Sequence, residues 1–489
     1  MNLQRLHLFA ALAASALMAF AAERVPAGDP LEGKWFGTAG FPQDRGEIGF
    51  EFKRNEQGVL KAFLYAPLNN FYGLEIPGDV EREGEKYLLR SYVTSFSFAV
   101  DHDHVEGTFF PLNAPLSMAR VTQLPSEAPM PELPPGPGPK WRTKLGGAIF
   151  APVAVRDGVA YIGTTSGVFN AIRISDGSFA WAVPVGRPVF GEALATEDAV
   201  FFTCDNGQLF KLNRADGTEV WRYDLGGERV PRVLMHPTVF EWDYRAPKPM
   251  LAAGVLYVGS ADGSFHAVRA DTGERIWRYA TESRIRCDAL LDESRVVFGN
   301  FDGVVVALDR ATGAEIWQRE TRAFVNASPA RVGDKLIVAN RGGILVALDP
   351  LTGRTQWRTL LWGSAAESTA VPFGEFFYIG ASDLRRITCY HPADGRVEWR
   401  TDIYGIAWGR PAVTEKFVFA SAGGFEPYQM RHLGGLNVLD RATGRILWRW
   451  TAPHGPDVYA SGFAAGPTVA GDLVLVGSMN GILYAFPVP

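Results

Sequence analysis

The chain has 489 residues, of which 47% are apolar and 21% charged, as in ordinary globular proteins. Its 48 Lys and Arg against 53 Asp and Glu give a net charge of −5, without a run of basic residues. The length allows two or three domains, and the charge pattern argues against a nucleic-acid-binding protein.

Residues 1–22 have the pattern of a secretory signal peptide. Arg5 gives a charged start, an apolar stretch runs from Leu8 to Phe20, and cleavage is expected near Ala21 or Ala22. The apolar stretch is too short for a comfortable membrane span, so no transmembrane segment is expected. Because no cysteine follows the cleavage region, no lipid anchor is expected either. The segment predicts a periplasmic or secreted protein.

Residues 29–123 consist of short stretches in which apolar and polar residues alternate. Polar turns such as residues 54–58 and 82–85 separate them, and no helical periodicity is present. This pattern predicts a small antiparallel β-barrel domain.

The start of this domain, Gly33-x-Trp35, resembles the opening of lipocalin-like (calycin) barrels. In that family a later basic residue covers the tryptophan, and the resemblance implies that Arg120 makes this cation–π contact. The barrel could carry a small ligand or a glycan if its lumen is open, or act as a docking module if it is filled. The candidates for filling the lumen are Trp35, Phe50, Phe63 and Phe98.

Residues 124–139 form a proline-rich linker. Such a segment prefers the extended polyproline conformation and acts as a semi-rigid spacer. It predicts a domain boundary before a final domain at residues 140–489.

A tryptophan recurs about every 40 residues along this final domain, and from the second one onward a glycine lies four residues before it. The tryptophans are Trp141, Trp181, Trp221, Trp277, Trp317, Trp357, Trp399 and Trp448. A strand-rich repeat of this length is typical of β-propeller blades.

One repeat shows the chemistry of a blade. Residues 336–357 read as two apolar strands, a turn from Asp349 to Gly353, and a third strand that carries Trp357. The aspartate can accept hydrogen bonds from the turn amides, and the glycine supplies a positive φ. We expect the buried Ala347 to stay small because a neighbouring blade packs over it, and the tryptophan to fill the gap between blades.

The two ends of the domain complement each other. The last repeat stops after Phe486 without a tryptophan strand, whereas Trp141 has such a strand without a repeat before it. We therefore expect the strand around Trp141 to complete the final blade, which gives an all-β, eight-bladed propeller.

This pattern resembles the pyrroloquinoline-quinone-like propeller repeat, with the signature Ala-x-Asp-x-x-Thr-Gly-x-x-x-Trp. Residues 307–317 and 347–357 match it fully. The resemblance implies the fold but leaves the function open, because the family contains quinone-dependent dehydrogenases and binding scaffolds. In its length and in its short blades of about 40 residues, the chain is also similar to the propeller lipoproteins of outer-membrane protein assembly.

Propeller ligands bind at the axis, where the first strand of each blade begins. A quinone cofactor with calcium would need aromatic rings for stacking, arginines for its carboxylates, and acidic or amide oxygens for the metal. By register the axial candidates are Phe150, Phe190, Glu192, Arg286, Asp288, Asn326, Glu367, Trp408, Arg410 and Phe463. The alternative is an axis lined by packing and solvated side chains.

Several features weigh against catalysis. No two cysteines are adjacent, although the resemblance implies such a pair beside a quinone, and no Cys-x-x-Cys-His haem motif is present. Nucleophile, phosphate-loop and zinc-ligand patterns are also missing from the sequence. We therefore expect no catalytic residue, no metal and no cofactor.

Two insertions interrupt the repeat rhythm, at residues 228–249 and 423–435. Arginine and aromatic residues in long loops are typical of protein interfaces, although the same residues can pack back on the blades. The candidates for contact with a partner are Arg229, Arg232, Trp242, Tyr244, Tyr428 and Arg431.

Three functional hypotheses follow from the sequence. The first is an exported, non-catalytic scaffold that presents its loops to a protein partner. The second is a dehydrogenase of alcohols or sugars that uses pyrroloquinoline quinone and calcium. The third is a barrel that binds a small ligand or glycan and is supported by the propeller.

Overall fold

The computed structural model describes residues 23–25, 27–42, 44–90, 95–110, 113–226, 232, 243–361, 366–425, 432–453 and 460–489. The predicted signal peptide, residues 1–22, lies outside these ranges. The chain divides into two compact units, residues 1–129 and 130–489. Within the described ranges, no helix has the length and apolar character needed to cross a membrane.

The first unit is a single antiparallel sheet. Its strands are β1 (Glu23–Arg24), β2 (Gly33–Phe41), β3 (Asp44–Arg54), β4 (Leu60–Ala66), β5 (Phe71–Glu75), β6 (Val80–Glu83), β7 (Lys86–Arg90), β8 (Ser95–Asp101), β9 (His104–Phe110) and β10 (Ala114–Arg120). A short 3₁₀ helix, Pro67–Asn69, separates β4 from β5. The strand order is β1-β6-β7-β8-β9-β10-β2-β3-β4-β5. The sheet curls into a half-barrel whose order, among the described strands, ends at β1 and β5.

The predicted contact between Arg120 and Trp35 is confirmed. Trp35 is fully buried, and its indole Nε1 donates a hydrogen bond to the Leu31 carbonyl at 2.8 Å. The Arg120 guanidinium lies 4.2 Å from the centre of the indole ring, and its Nη1 donates to the Glu32 carbonyl at 2.9 Å. Because β10 pairs with β2, this contact joins strands from the two ends of the unit.

The interior of this unit is filled by aromatic rings. Phe50 and Phe98 are fully buried, with ring centres 5.3 Å apart in an edge-to-face arrangement. The expectation for Phe63 was wrong: this ring is half-buried on the other face, 4.1 Å from the Lys53 ammonium. Side chains alternate along β4, and its inward positions are taken by residues such as Leu64.

The second unit is an eight-bladed propeller that begins with β11 (Trp141–Lys144). Blade 1 contains β12 (Ala154–Arg156), β13 (Val159–Gly163), β14 (Val168–Arg173) and β15 (Phe179–Pro184). Blade 2 contains β16 (Leu194–Ala195), β17 (Ala199–Cys204), β18 (Gln208–Asn213) and β19 (Glu219–Asp224). Blade 3 contains β20 (Met250–Ala252), β21 (Val255–Gly259), β22 (Ser264–Arg269) and β23 (Arg275–Ala280). Blade 4 contains β24 (Leu290–Leu291), β25 (Arg295–Gly299), β26 (Val304–Asp309) and β27 (Glu315–Glu320).

The remaining blades continue the same antiparallel pattern. Blade 5 contains β28 (Ala330–Val332), β29 (Lys335–Ala339), β30 (Ile344–Leu348) and β31 (Thr355–Leu360). Blade 6 contains β32 (Val371–Phe373), β33 (Phe376–Ala381), β34 (Arg386–Tyr390) and β35 (Val397–Asp402). Blade 7 contains β36 (Ala412–Val413), β37 (Phe417–Phe425), β38 (Gly435–Asp440) and β39 (Ile446–Thr451), and β40 (Ala460–Gly462) pairs with β37. Blade 8 contains β41 (Thr468–Ala470), β42 (Leu473–Gly477), β43 (Ile482–Pro487) and β11.

The ring closes as the sequence predicts. In β11, Trp141 pairs with Ala485 of β43, so the first strand of the unit becomes the outer strand of the last blade. The indole of Trp141 then donates a hydrogen bond at 2.8 Å to the Ile174 carbonyl of blade 1. The closing strand therefore links the last blade to the first.

Seven of the eight tryptophans pack on the glycine turn of the next blade, and Trp448 packs on Gly136 of the proline-rich segment instead. Trp317 of blade 4 lies over Gly353 of blade 5, where a Cβ atom would come within 2.6 Å of the indole. The φ of Gly353 is +66°, a value that other residues rarely adopt. The Trp317 indole also donates a hydrogen bond to the Pro350 carbonyl at 3.3 Å. The glycine that lies four residues before a tryptophan therefore packs against the tryptophan of the preceding blade.

The repeat aspartate holds this turn in shape. Asp309 Oδ1 accepts hydrogen bonds from the amides of Ala311 and Thr312 at 3.1 and 2.8 Å, and from the Thr312 hydroxyl at 2.7 Å. The hydrogen bonds from Thr312 are the main reason why the pKa of Asp309 is lowered. The predicted turn chemistry is confirmed.

Part of the proline-rich segment is paired with a blade. The Gly136 amide donates to the Arg449 carbonyl at 2.7 Å, and the Arg449 amide donates to the Pro134 carbonyl at 2.9 Å. A Cβ atom on Gly136 would lie 2.1 Å from the Trp448 ring, so only glycine fits there. Residues 134–136 therefore form an isolated parallel bridge with β39.

We predict that Trp317→Ala lowers the free energy of unfolding by about 3–5 kcal/mol, because it removes a buried indole and leaves a gap between two blades. Denaturant unfolding followed by circular dichroism measures the change. The matched control is Ile316→Ala on the same strand, whose side chain is 46% exposed; we expect a change within about 0.5 kcal/mol. Equal effects of the two substitutions would contradict the role of the indole.

Candidate functional site

One face of the propeller carries the loops that could bind a ligand or partner. In an antiparallel blade, the turn between the second and third strands lies at the same end as the connection to the next blade. The insertion at residues 228–249 is such a connection, between β19 and β20, and the insertion at residues 423–435 is such a turn, between β37 and β38. The strands that flank both insertions therefore end and begin at one face, which we call the loop face.

The same contact recurs between blades and orients the side chains that precede the first strand of each blade. In the connection before blade 4, Ile285 packs against Gly259, where a Cβ atom would lie 2.2 Å from its side chain. Val325 packs on Gly299 in the same way before blade 5. With that residue buried between blades, the residues one and three positions later, such as Arg286 and Asp288, face the axis.

These positions form two rings around the axis, an upper ring nearer the loop face and a lower ring two residues further along each chain segment. The upper ring consists of Phe150, Phe190, Ala246, Arg286, Asn326, Glu367, Trp408 and Ala464. The lower ring consists of Pro152, Glu192, Lys248, Asp288, Ser328, Thr369, Arg410 and Gly466. Nine of the ten axial candidates named from the sequence belong to these rings. Phe463 does not, because it is the buried residue one position earlier.

The lower ring ties neighbouring blades together. The Lys248 amide donates to Asp288 Oδ1 at 2.8 Å, the Asp288 amide to Ser328 Oγ at 2.9 Å, and the Ser328 amide to Thr369 Oγ1 at 3.1 Å. Each bond joins one blade to the next. Asp288 is therefore engaged in holding blades 3 and 4 together.

Glu192 forms the strongest ionic contacts of the lower ring. Its carboxylate accepts a hydrogen bond from Lys248 Nζ at 2.5 Å and another from Arg410 Nη2 at 2.8 Å. This carboxylate raises the pKa of Arg410. The pair with Arg410 spans the axis between blades 2 and 7.

The acidic residue of the upper ring is engaged in the same manner. Asn326 Nδ2 donates to Glu367 Oε2 at 2.5 Å, and the guanidinium of Arg341 lies 3.0 Å from Oε1. Glu367 is 1% exposed. Within the described residues, no group of three or more His, Cys, Asp or Glu side chains could hold a metal ion.

Aromatic rings plug the axis. Tyr244, from the end of the first insertion, stacks on Trp408 with ring centres 4.6 Å apart and lies 5.7 Å from Phe150. Phe190 and Phe425 extend this cluster, at 5.4 Å from Phe150 and 5.0 Å from Trp408. The axial cavity that remains has a volume of only about 40 Å³.

A buried ionic network holds the insertion in this position. Asp243 is 2% exposed and lies 2.6 Å from Arg286 Nη2, 3.2 Å from Arg232 Nη1 and 3.5 Å from Arg284 Nη1. Arg232 also pairs with both oxygens of Asp205 in blade 2. The network thus links the insertion to blades 2 and 4.

Burial shifts the pKa values of several ionisable side chains in this region. Loss of solvation, followed by repulsion from Arg232, lowers the pKa of Arg286 to about 10. Burial also raises the pKa of Tyr244 well above its ordinary value, so its hydroxyl stays protonated. His432, near the second insertion, has its pKa lowered to about 3, chiefly by burial and further by Arg385.

The predicted partner-binding residues are placed differently from the expectation of an exposed surface. The side chains of Arg232 and Tyr244 are almost fully buried and support the loop face from within. Arg229, Trp242, Tyr428 and Arg431 lie outside the described residues. The sequence reasoning missed Lys248, although aligning Lys248-Pro249 with Ser328-Pro329 assigns it to the lower ring.

A large cavity lies beside the axis on the loop face, over blades 1 to 3. Its volume is about 640 Å³. Its aromatic walls are Phe150, Phe190 and Tyr244, and its charged residues are Arg187, Asp205, Arg232 and Arg286. This volume is within the range of ordinary ligand pockets.

We predict that Asp243→Asn lowers the free energy of unfolding by about 3–5 kcal/mol, since it leaves buried arginines without their counter-charge. Thermal and denaturant unfolding measure the change. Asp157→Asn is the control, because Asp157 pairs with Arg214 at 2.9 Å while its side chain is 63% exposed; we expect a change of at most about 1 kcal/mol. A change at Asp243 no larger than this would refute the network's structural role.

His432 predicts a pH dependence of stability. Its pKa is about 3 in the folded chain against an ordinary 6.5, so the unfolded state takes up a proton first as the pH falls. The stability contributed by neutral His432 is full above pH 6.5 and is lost as the pH falls towards 3. Between pH 7 and pH 5, we expect wild type to lose about 1–2 kcal/mol more than His432→Gln. Parallel unfolding profiles of the two proteins would contradict this.

Comparisons with known proteins agree with this fold. The family model described as "Outer membrane protein assembly factor BamB" matches residues 138–239, 241–372 and 359–487, more than half of the chain. A curated relative of that name from Shewanella oneidensis is 25% identical over 135 residues, which are 28% of this chain and 31% of the relative. Another from Yersinia pestis is 24% identical over 143 residues, 28% of this chain and 35% of the relative. The chain thus spans about a third of the length of these relatives.

Solved structures share the propeller. BamB from Moraxella catarrhalis superposes with a TM-score of 0.54 at 18% identity, covering 72% of this chain and 97% of that one. A quinohemoprotein alcohol dehydrogenase from Comamonas testosteroni gives a TM-score of 0.56 at 15% identity, covering 72% and 76%. At such identities these likenesses show the fold alone. With its blades matched by the family model, the chain belongs to the family of the outer membrane protein assembly factor BamB.

Proposed function

We propose that this protein is an exported scaffold that binds a protein partner through the loop face of its propeller. The observation that carries the proposal is that the strands flanking the two insertions end and begin at this face, while the axis beneath it is filled by the chain's own side chains. The loop face is then the surface that the propeller leaves available for binding.

The family supports a role in assembly. Relatives of this chain are named as outer membrane protein assembly factors. The signal-like residues 1–22 agree with export to the periplasm or beyond. We therefore propose that the partner is a component or a substrate of protein assembly in that compartment.

The residues at the axis do not fit a calcium-bound quinone. Glu192 is paired with Lys248 and Arg410, and Glu367 with Asn326 and Arg341, so the charge of each carboxylate is already balanced by side chains of the protein. The axial cavity of about 40 Å³ is far smaller than the roughly 300 Å³ or more of ordinary ligand pockets. The dehydrogenase hypothesis would require the plug around Tyr244 to leave the axis.

The first unit gives little support to the ligand-binding hypothesis. Phe50 and Phe98 are fully buried against each other in the interior, which leaves no open apolar lumen between them. We propose instead that the curled sheet is a second docking module for the same assembly.

Site-specific photo-crosslinking in cells tests the scaffold proposal. A crosslinking residue is placed at Ser166 or Asp302 on the loop face, both exposed, and at Ala311 or Leu351 in exposed turns at the opposite end of the blades. We expect discrete protein adducts from the loop-face positions and few from the control positions. Adducts of equal intensity from both faces, or from neither, would overturn the proposal.

A further inference from the structure

The large cavity on the loop face is bordered by the ionic network that holds the first insertion in place. It lies between the connections before blades 1 to 4, and its lining includes backbone and side chains from Thr203 to Gly207 and from Gly259 to Ala261. Its volume of about 640 Å³ exceeds that of a single side chain several-fold. The cavity is therefore large enough for part of a second molecule.

Positive charge is in excess around this cavity. Arg187, Arg232 and Arg286 line it, whereas Asp205 is its acidic lining residue. Asp243 pairs with Arg232 and Arg286 and is therefore included in the charge count. The count is then three arginines against two aspartates. One positive charge is left over for an anionic group.

Arg286 has hydrogen-bonding capacity to spare. Its Nη2 is bound to Asp243, but its Nε is buried without a hydrogen-bond partner in the described structure. An unpaired buried donor of a charged group costs free energy, which an incoming acceptor would recover. The lowered pKa of Arg286, about 10, reflects the same loss of solvation.

The other walls are apolar and aromatic. Phe150 and Phe190 stand side by side with ring centres 5.4 Å apart, and the Arg232 guanidinium lies 4.2 Å from the Phe190 ring. At the rim, Arg187 is exposed to solvent. A ligand that fits this site therefore carries a carboxylate next to an apolar or aromatic group.

We propose that this cavity receives an extended acidic segment of the protein partner, with one carboxylate directed at Arg286 and Arg187 and an apolar neighbour against Phe150 and Phe190. The inference rests on the proposed function, because the cavity lies on the loop face. A polypeptide suits the site better than a small acid, since the rim arginine is exposed and the charges are spread across blades 2 to 4.

Fluorescence anisotropy with two short labelled peptides tests this inference on the purified protein. In one peptide glutamates alternate with phenylalanines, and in the other glutamines replace the glutamates. We expect saturable binding of the first and about tenfold weaker binding of the second, because the charge-assisted hydrogen bonds are lost. Raising the salt concentration should weaken only the first.

Matched charge reversals locate the binding. Arg187→Glu changes the rim of the cavity, whereas Arg354→Glu makes the same change in an exposed turn at the opposite end of blade 5. We expect the first variant to bind the acidic peptide about tenfold more weakly and the second to bind it as wild type does. Neither residue lies in the core, so both variants should fold.

Three results would overturn the inference. They are equal binding of the two peptides, equal effects of the two variants, or binding of a small aromatic acid such as benzoate without binding of the peptide. If loop-face crosslinks persist under any of them, the scaffold proposal stands and only the cavity's role falls. If crosslinks are also missing, the scaffold proposal fails with it.

Discussion

The contact between an outer-strand tryptophan and the glycine turn of the next blade, made by seven of the eight tryptophans, is the interaction on which the propeller depends. Trp317 over Gly353 shows its two parts, an indole that fills the gap between sheets and a carbonyl that accepts its N–H. A short sheet cannot bury both of its faces alone, so each blade is stable only against its neighbours. The closing strand at Trp141 extends this dependence around the whole ring.

The axis is organised by a second, different constraint, the need to neutralise buried charge. Side chains directed there are paired across blades or packed against rings, and the first insertion contributes both Tyr244 to the plug and Asp243 to the arginine network. A buried charge without a partner is costly, so such groups occur in satisfied sets. Because the axis is filled in this way, the surface that remains available for binding is the loop face with its cavity.

The local chemistry of the blades could be predicted from sequence because it repeats. The aspartate turn at Asp309, the closure of the ring at Trp141 and the Arg120–Trp35 contact all depend on residues at fixed spacings or in a known motif. The placement of Phe63 and Phe463 could not be predicted as securely. Each differs by one position from the inward or axial residue, and a shift of one position turns a strand side chain to the other face.

By itself the sequence determined the number of blades, their closure and the family, since these follow from a rhythm of tryptophan and glycine along the chain. Only the tertiary structure decided what the axis holds. Glu192 and Arg410 are 218 residues apart and meet because the ring brings blades 2 and 7 to face each other. No local pattern encodes such a pairing, because the distance between two axial side chains is set by the closed ring and by how an insertion folds over it.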